Sequence, residues 1–420
     1  MFIKTLQKEQ IAYLFQQFLI KPLCLIITLP VSFGIIIISP IIRIRLIRLR
    51  SFRIGHLALN TELMRCALQV NLHRDAARIK TFFYLPTRKN LCNLQLYLMW
   101  KRTVGILPFP LLCAQVDKLL IIFGGKFYYN DPVKEVFDRA EDRWDFLETV
   151  KQRLSFNTTE HHLARCVMQK LGIKQNAQYV CLLMRDSNYL KVHLSQDDWS
   201  YHNYRDVDSE NYKQAAQYLA EQGYYVIRMG KYVGKEFNIN HPLVIDYANS
   251  SLQSDFMDIY LTAHCFFMIS TSCGLDSVAQ IFRKPLLITD FPLPDLAWYR
   301  WTLFIPKKIV NLKTNQFLKF NEIYKVCSIL KSSRTIAKIL QENNLGFIDN
   351  TPDEILAAVK ETLLLLKNNP STSSTQAPCQ TQFWENFPLP LPESTHSYAN
   401  VKFHIAESFL KLNPTLLDES

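Results

Sequence analysis

The sequence predicts an α/β protein with two Rossmann-like, doubly wound domains behind an N-terminal hydrophobic membrane segment. From residue 179 onward, apolar strand-like runs alternate with helix-period segments, as in a parallel sheet covered on both faces. Residues 266–290, FFMISTSCGLDSVAQIFRKPLLITD, read as buried strand, tight polar turn, short helix and second buried strand. Residues 22–42, PLCLIITLPVSFGIIIISPII, carry no charged side chain, and 21 residues is about the length needed to span a bilayer core.

The elements follow in order. The apolar stretch contains Pro30 and Gly34, so a kinked or re-entrant helix is an alternative to a straight span, and a buried core helix is the bland one. Its length and the basic segment after it argue against a cleaved signal peptide. Residues 1–50 thus form a membrane-associating segment and basic hinge. A first Rossmann-like domain is expected over 51–165, with a turn at Gly55-His56, a helix to about Gln69, and strands at Phe82–Leu85 and Leu119–Phe123. A second domain is expected over 166–367. Its strands are Tyr179–Met184, Tyr225–Met229 and Leu243–Tyr247, and its helices Asn211–Gln222, Phe256–His264 and 352–367. Gly223 is a helix stop. The polar, proline-containing NNPSTSSTQAPCQTQ opens a flexible connector over 368–400. A helix over 401–420, with Ile405, Phe409 and Leu412 on one face, closes the chain.

A chain of 420 residues holds two full cores. Its net charge is +11, with clusters at Arg43, Arg45, Arg48, Arg50 and Arg53, and again at Arg74, Arg78, Lys80, Arg88, Lys89, Lys101 and Arg102. No recognisable nucleic-acid module surrounds this charge, so the expected partner is an anionic membrane surface rather than nucleic acid. Ten scattered cysteines show no CxxC and no Cys/His spacing suited to a metal; Cys24, Cys181 and Cys265 sit in apolar runs as small hydrophobes. The expectation is a reduced compartment, no structural metal and no cofactor.

The turn Ser270-Thr271-Ser272-Cys273-Gly274 places small hydroxyls and a glycine where a helix begins, followed by Leu275. Unpaired N–H groups there carry partial positive charge and suit an anion. Arg185-Asp186 follows a buried strand at its carboxyl end, where an arginine can fork onto a phosphate; an ion pair with a local carboxylate is the alternative. Arg228-Met229-Gly230 repeats the pattern, so on a parallel sheet both arginines converge with the 270–274 turn. Tyr247 can flank a base, and Asp246 or Asp258 can bond a ribose hydroxyl, unless they cap a neighbouring loop or helix. His56 can remove a proton from an acceptor hydroxyl, or simply bond locally at a helix start; Glu62 is the runner-up base. No GxSxG, Walker loop or HExxH is present.

The ordered series RIGHLALNTE (53–62), VCLLMRDSNYL (180–190), NYRDVDSENY (203–212), GYYVIRMG (223–230), VIDYANS (244–250), SDFMDIYL (254–261) and TSCGLDSVAQIF (271–282) resembles a family of bacterial glycosyltransferases that occur with surface-polysaccharide biosynthesis proteins. FLKFNEIYK (317–325), QFWENFP (382–388) and HIAESFLKLNP (404–414) extend the likeness to the chain's end. The resemblance implies the two-domain architecture called GT-B: a nucleotide-sugar donor in the second domain, the acceptor in the first, no metal, and a terminal helix crossing back onto the first domain. Two positions depart from the pattern, Met184 where a histidine is usual and Cys273 where a serine is usual.

The function expected is therefore transfer of a sugar from a nucleotide sugar to a lipid-linked or surface-glycan acceptor, at the cytoplasmic face of the inner membrane. His56 would serve as base, with Arg185, Arg228 and the 271–275 backbone stabilising the departing diphosphate. A nucleotide-sugar epimerase and a non-catalytic polysaccharide-assembly scaffold on the same fold are the alternatives.

Overall fold

The computed structural model describes residues 21–71, 76–85, 91–129, 142, 144–188, 200–293, 302–327, 333–368, 378–388 and 403–417. The chain divides into two compact units, Met1–Ala140 and Glu141–Ser420. The expected boundary at 165 lies too late, because α5 (Thr158–Lys170), opened by an Asn157/Glu160 capping box, packs with the second unit's core through Ala164.

In the first unit, α1 (Lys21–Ile38) leads into β1 (Arg43–Arg48). A π-turn at His56–Asn60 runs into α2 (Thr61–Gln69), then β2 (Ile79–Tyr84), α3 (Leu94–Val104) and β3 (Ile106–Leu107). The described strands form one parallel sheet in the order β1-β2-β3. Leu119–Phe123, expected as a strand, is instead the last turn and a half of α4 (Pro110–Phe123). Pro110 at the first helical position sets the helix geometry before the apolar run begins. Among the described residues no helix is long and apolar enough to cross a membrane, so a spanning segment at 22–42 is not supported. Pro30 lies inside α1, and the 18 residues of that helix rise only about 27 Å.

The second unit carries the larger sheet. Its strands are β4 (Tyr179–Leu183), β5 (Tyr225–Met229), β6 (Val244–Ile245), β7 (Phe267–Ser270), β8 (Leu286–Phe291) and β9 (Thr302–Pro306). Helices α6 (Lys213–Glu221), α7 (Asp255–His264) and α8 (Asp276–Ile281) cross between them. All pairings in this sheet are parallel. Every residue of β4, β5, β7 and β8 is buried, which is why their sequences read as continuous apolar runs rather than alternating ones. α6 stops where Gly223 turns left-handed (φ 87°) and the Tyr224 N–H reaches back to Leu219.

A small antiparallel sheet follows, with β10 (Lys308–Asn311) between β11 (Gln316–Phe317) and, after α9 (Phe320–Cys327) and α10 (Ser333–Glu342), β12 (Leu345–Ile348). Helix α11 spans Pro352–Lys367 as expected, started by a Thr351/Glu354 capping box.

Two expectations about the chain's end need correcting. The connector predicted over 368–400 contains a helix, α12 (Pro378–Asn386), whose Phe383 and Trp384 are buried; residues 369–377 and 389–400 lie outside the described residues. The closing helix also does not begin at 401. Phe403–Ile405 form β13, which pairs in parallel with β9, and only then comes α13 (Glu407–Leu412), packed on α11 and α12 within the second unit. Phe403 stacks on Phe304 at 4.5 Å between ring centres and Phe304 meets Phe383 edge-on at 5.7 Å, so this end of the chain completes the second unit's main core.

Candidate functional site

Strand order in the large sheet is β13-β9-β8-β7-β4-β5-β6. From β6 through β9 this is the dinucleotide-fold order, which reverses direction between β4 and β7. Ligands in open parallel sheets bind outside the carboxyl ends of strands at such a reversal, because the two outgoing loops diverge and leave a crevice. The loops concerned are Met184-Arg185-Asp186 after β4 and Thr271-Ser272-Cys273-Gly274 after β7. They are stitched together: the Arg185 N–H donates to Thr271 Oγ1 at 2.9 Å.

Within the second turn, Ser270 and Thr271 are fully buried and act from beneath, Ser270 Oγ lying 3.4 Å from the Asp276 carboxylate. Ser272 holds the left-handed conformation (φ 57°), while Gly274 is exposed and Leu275 half-buried at the start of α8. Burial lifts the Asp276 carboxyl to about 7, against the opposing pull of its hydrogen bonds to Ser270, Cys273 and Ser277. The Cys273 thiol, desolvated in the same turn, is pushed up to about 11 and is a protonated, unreactive group at neutral pH.

Arg185 is 13% exposed and pairs with Asp206 at 2.7 Å; its carbonyl accepts the Val207 N–H. The 205–207 segment is thereby laced to the β4 turn. It brings Arg205, whose positive charge reaches both Cys273 and Asp276. Arg205 escaped the sequence reading, although its Arg-Asp dipeptide repeats that of Arg185-Asp186. Two guanidinium groups thus border the turn at the sheet's reversal.

The other expected donor residues sit differently. Arg228 is 3% exposed and bonds Asp246 at 3.0 Å, and Asp246 also accepts from the Phe237 N–H and from Asn249 Nδ2. Tyr247 is fully buried and donates its hydroxyl to Asp258, which burial raises to about 7 and which Gln253 also bonds. Asp186 accepts the N–H groups of Asn188 and Gly234, tying its own loop. Gly230 is left-handed at φ 153°, and an added Cβ would come within 2.6 Å of Val233. Met184, where a histidine is usual in the resembling family, is buried.

In the first unit, His56 opens the π-turn, a rare geometry that is frequent at functional sites. Its Nδ1 lies 3.1 Å from Asn60 Oδ1; with Nδ1 donating there, the Nε2 lone pair points elsewhere and can accept a proton. Burial lowers its pKa below 6.5, and Arg50 and Arg53 push the same way, so the ring is neutral at pH 7. Glu62 is 1% exposed and clasped by Arg65 through bonds of 2.7 and 2.8 Å. Among the described residues, no group of three or more His, Cys, Asp or Glu is placed to hold a metal ion.

No family model matches the chain, and no curated protein matches it. Among solved structures, the chain is similar to a family 9 glycosyl transferase of Veillonella parvula, at 9% identity and a TM-score of 0.40, covering 72% of this chain and 98% of that one. It is also similar to the ADP-heptose lipopolysaccharide heptosyltransferase II of E. coli, at 12% identity and a TM-score of 0.35, covering 71% and 98%. A third is the iron-containing dodecameric heptosyltransferase TibC in complex with ADP-D-beta-D-heptose, at 11% identity and a TM-score of 0.34, covering 77% of each chain. Likeness at this level carries neither chemistry nor substrate across to this chain.

Proposed function

We propose that the chain is a glycosyltransferase that moves a sugar from a nucleotide-sugar donor to a hydroxyl of a lipid-linked or surface-glycan acceptor in polysaccharide biosynthesis. The observation that carries the reading is the joining of the Arg185 turn to the Thr271 turn at the reversal of the second unit's sheet. A diphosphate there meets the Ser272–Gly274 turn, whose exposed residue is Gly274, and the cations Arg185 and Arg205. Binding would draw Arg185 partly off Asp206, an exchange of one charge-assisted bond for another.

The acceptor oxygen forms its bond to the anomeric carbon as the carbon–oxygen bond to the diphosphate breaks. The acceptor proton goes to His56 Nε2, and the electron pair leaves with the nucleoside diphosphate. The negative charge that develops on the leaving oxygen is what the two guanidinium groups stabilise, so in this reading the step runs without a metal. Arg228, Asp246, Tyr247 and Asp258 serve the donor site indirectly by fixing the second unit's strands and helices, and Glu62 is held by Arg65 within its own helix. The resemblance of the ordered motifs to bacterial surface-polysaccharide glycosyltransferases supports the same reading.

The test is nucleotide release by the full-length chain from a panel of UDP-, GDP-, CMP- and ADP-sugars, with and without membrane-extracted glycolipid. One donor class should turn over. His56→Gln should lower kcat at least about 100-fold, the usual worth of a general base, with donor KM little changed. Equal loss of donor binding and of kcat in His56→Gln would remove it from the base role.

A further inference from the structure

We propose that helices α1 and α4 form a non-spanning wedge by which the first unit seats on one leaflet of an anionic lipid bilayer. This inference rests on the first unit alone and stands apart from the donor site.

Helix α1 turns hydroxyl side chains inward and leaves large apolar ones outside, the reverse of a helix on a water-soluble core. The polar residues of α1 face inward: Thr28 and Ser32 are each 1% exposed. Thr28 Oγ1 donates to the Cys24 carbonyl and lies 3.4 Å from Gln115 Oε1 of α4, while Ser32 Oγ donates to the Thr28 carbonyl. Positions 28, 32, 35 and 36 mark one helical face, and Ile35 and Ile36 pack there against the cluster of Leu46, Tyr84, Val116 and Leu120. The opposite face is apolar and open to solvent: Ile26 is 70% exposed, Ile37 75%, and Ile41 just beyond the helix 74%. Helix α4 continues the surface with Phe109 at 68%, Ile122 at 67% and Phe123 at 54%, and Phe33 of α1 stacks on Phe123 at 6.0 Å. A soluble monomer rarely exposes so continuous an apolar surface, and here the burial of hydroxyls beneath it leaves the apolar face as the outward one.

Charge selects the occupant. Residues 21–129 carry sixteen Lys and Arg against three acidic residues, Glu62, Asp75 and Asp117, so this stretch accounts for the whole chain's excess of +11. Of the acids, Glu62 is held by Arg65, and Asp117 accepts the Tyr84 hydroxyl. Lys118 on α4 and Lys126 just after it are exposed. An apolar face with a cationic rim suits an anionic lipid surface, whereas a second copy of the same face would bring like charges together. Among the described residues neither helix is long and apolar enough to cross a bilayer, and the proposal lays the pair in the interface.

The experiment is flotation of the full-length chain with vesicles of phosphatidylcholine alone or with phosphatidylglycerol added. The wild type should partition to the mixed vesicles, and added salt should weaken the binding without abolishing it. A triple variant, Ile26→Gln, Ile37→Gln and Ile122→Gln, keeps the charge and should cut partitioning at least tenfold while leaving the circular dichroism spectrum unchanged. An Ile37→Trp reporter should be quenched more by bromine near the headgroup end of the acyl chains than by bromine near their tips. No flotation of the folded wild type, undiminished flotation of the triple variant, deep quenching, or a dimer that the triple variant abolishes would each overturn the proposal.

Discussion

Arg185 and Arg228 end neighbouring strands and each meets an aspartate, but Arg185 keeps 13% of its side chain in solvent and Arg228 only 3%. Position along the strand decides this: Arg228 lies inside β5, where every residue is buried, while Arg185 lies just past the end of β4. The two substitutions should therefore separate. Arg228→Met leaves Asp246 without its buried cation and should destabilise the fold by about 3 kcal/mol, read as a lower urea midpoint at constant slope. Arg185→Ala should shift the midpoint far less. Asp276 gives a second prediction. Its carboxyl holds its proton to about 7 in the folded chain but only to its ordinary 3.8 when unfolded. Between those values the native state binds more protons than the unfolded one, so stability falls as pH rises from about 4 to about 7. Asp276→Asn should flatten that fall, by at most about 4 kcal/mol for a shift of three units, in denaturation at pH 5 and pH 8. A steeper fall in the variant would show that the carboxyl is not held protonated.

Helices and strands were legible where one face or both faces are buried along their length. The second unit's β4, β5 and β7, and helices α6, α7 and α11, fall close to where their apolar runs and caps place them. Failures occurred where a short apolar run has two readings. Leu119–Phe123 followed by two glycines looks like a buried strand, yet Phe109-Pro110 starts a helix that carries through it. Phe403–Ile405 alternates with period two, but its Ile405 also falls on a helical spacing with Phe409 and Leu412, and pairing with β9 settles the competition. α12 is hidden in a Ser/Thr/Pro-rich segment, although Pro378 and the nearby Phe383-Trp384 were its signals. Because β13 and α12 complete an aromatic core, Phe403→Ala should cost about 3–5 kcal/mol in urea denaturation, as for any large buried aromatic. A cost below about 1 kcal/mol would show that this end of the chain is dispensable.

Two compact α/β units emerge, and the site sits where the order of seven parallel strands reverses. That order cannot be seen in a sequence, since it depends on which of several equally apolar strands pair. The sequence nevertheless placed the 270–274 turn and Arg185 at strand ends, because each follows a fully apolar run with small or charged residues that the core would reject. Arg205 was not singled out, since it stands in a short 3₁₀ turn between regular elements. That Tyr247 and Asp258 are buried against each other, and that Asp246 pairs with Arg228, could not be read from spacing. The N-terminal apolar run was visible, but its inverted helix pairing with α4 required the packed structure. The proposed ligand at the β4/β7 reversal is a nucleoside diphosphate. Ligand-observed NMR of the full-length chain with UDP, GDP, CMP and ADP, beside Arg185→Ala and Arg205→Ala, tests it most directly. One nucleotide should bind selectively, and each variant should weaken it about tenfold or more, as expected for loss of a charge-assisted bond. Absence of binding by the folded chain, or binding indifferent to both arginines, would contradict it.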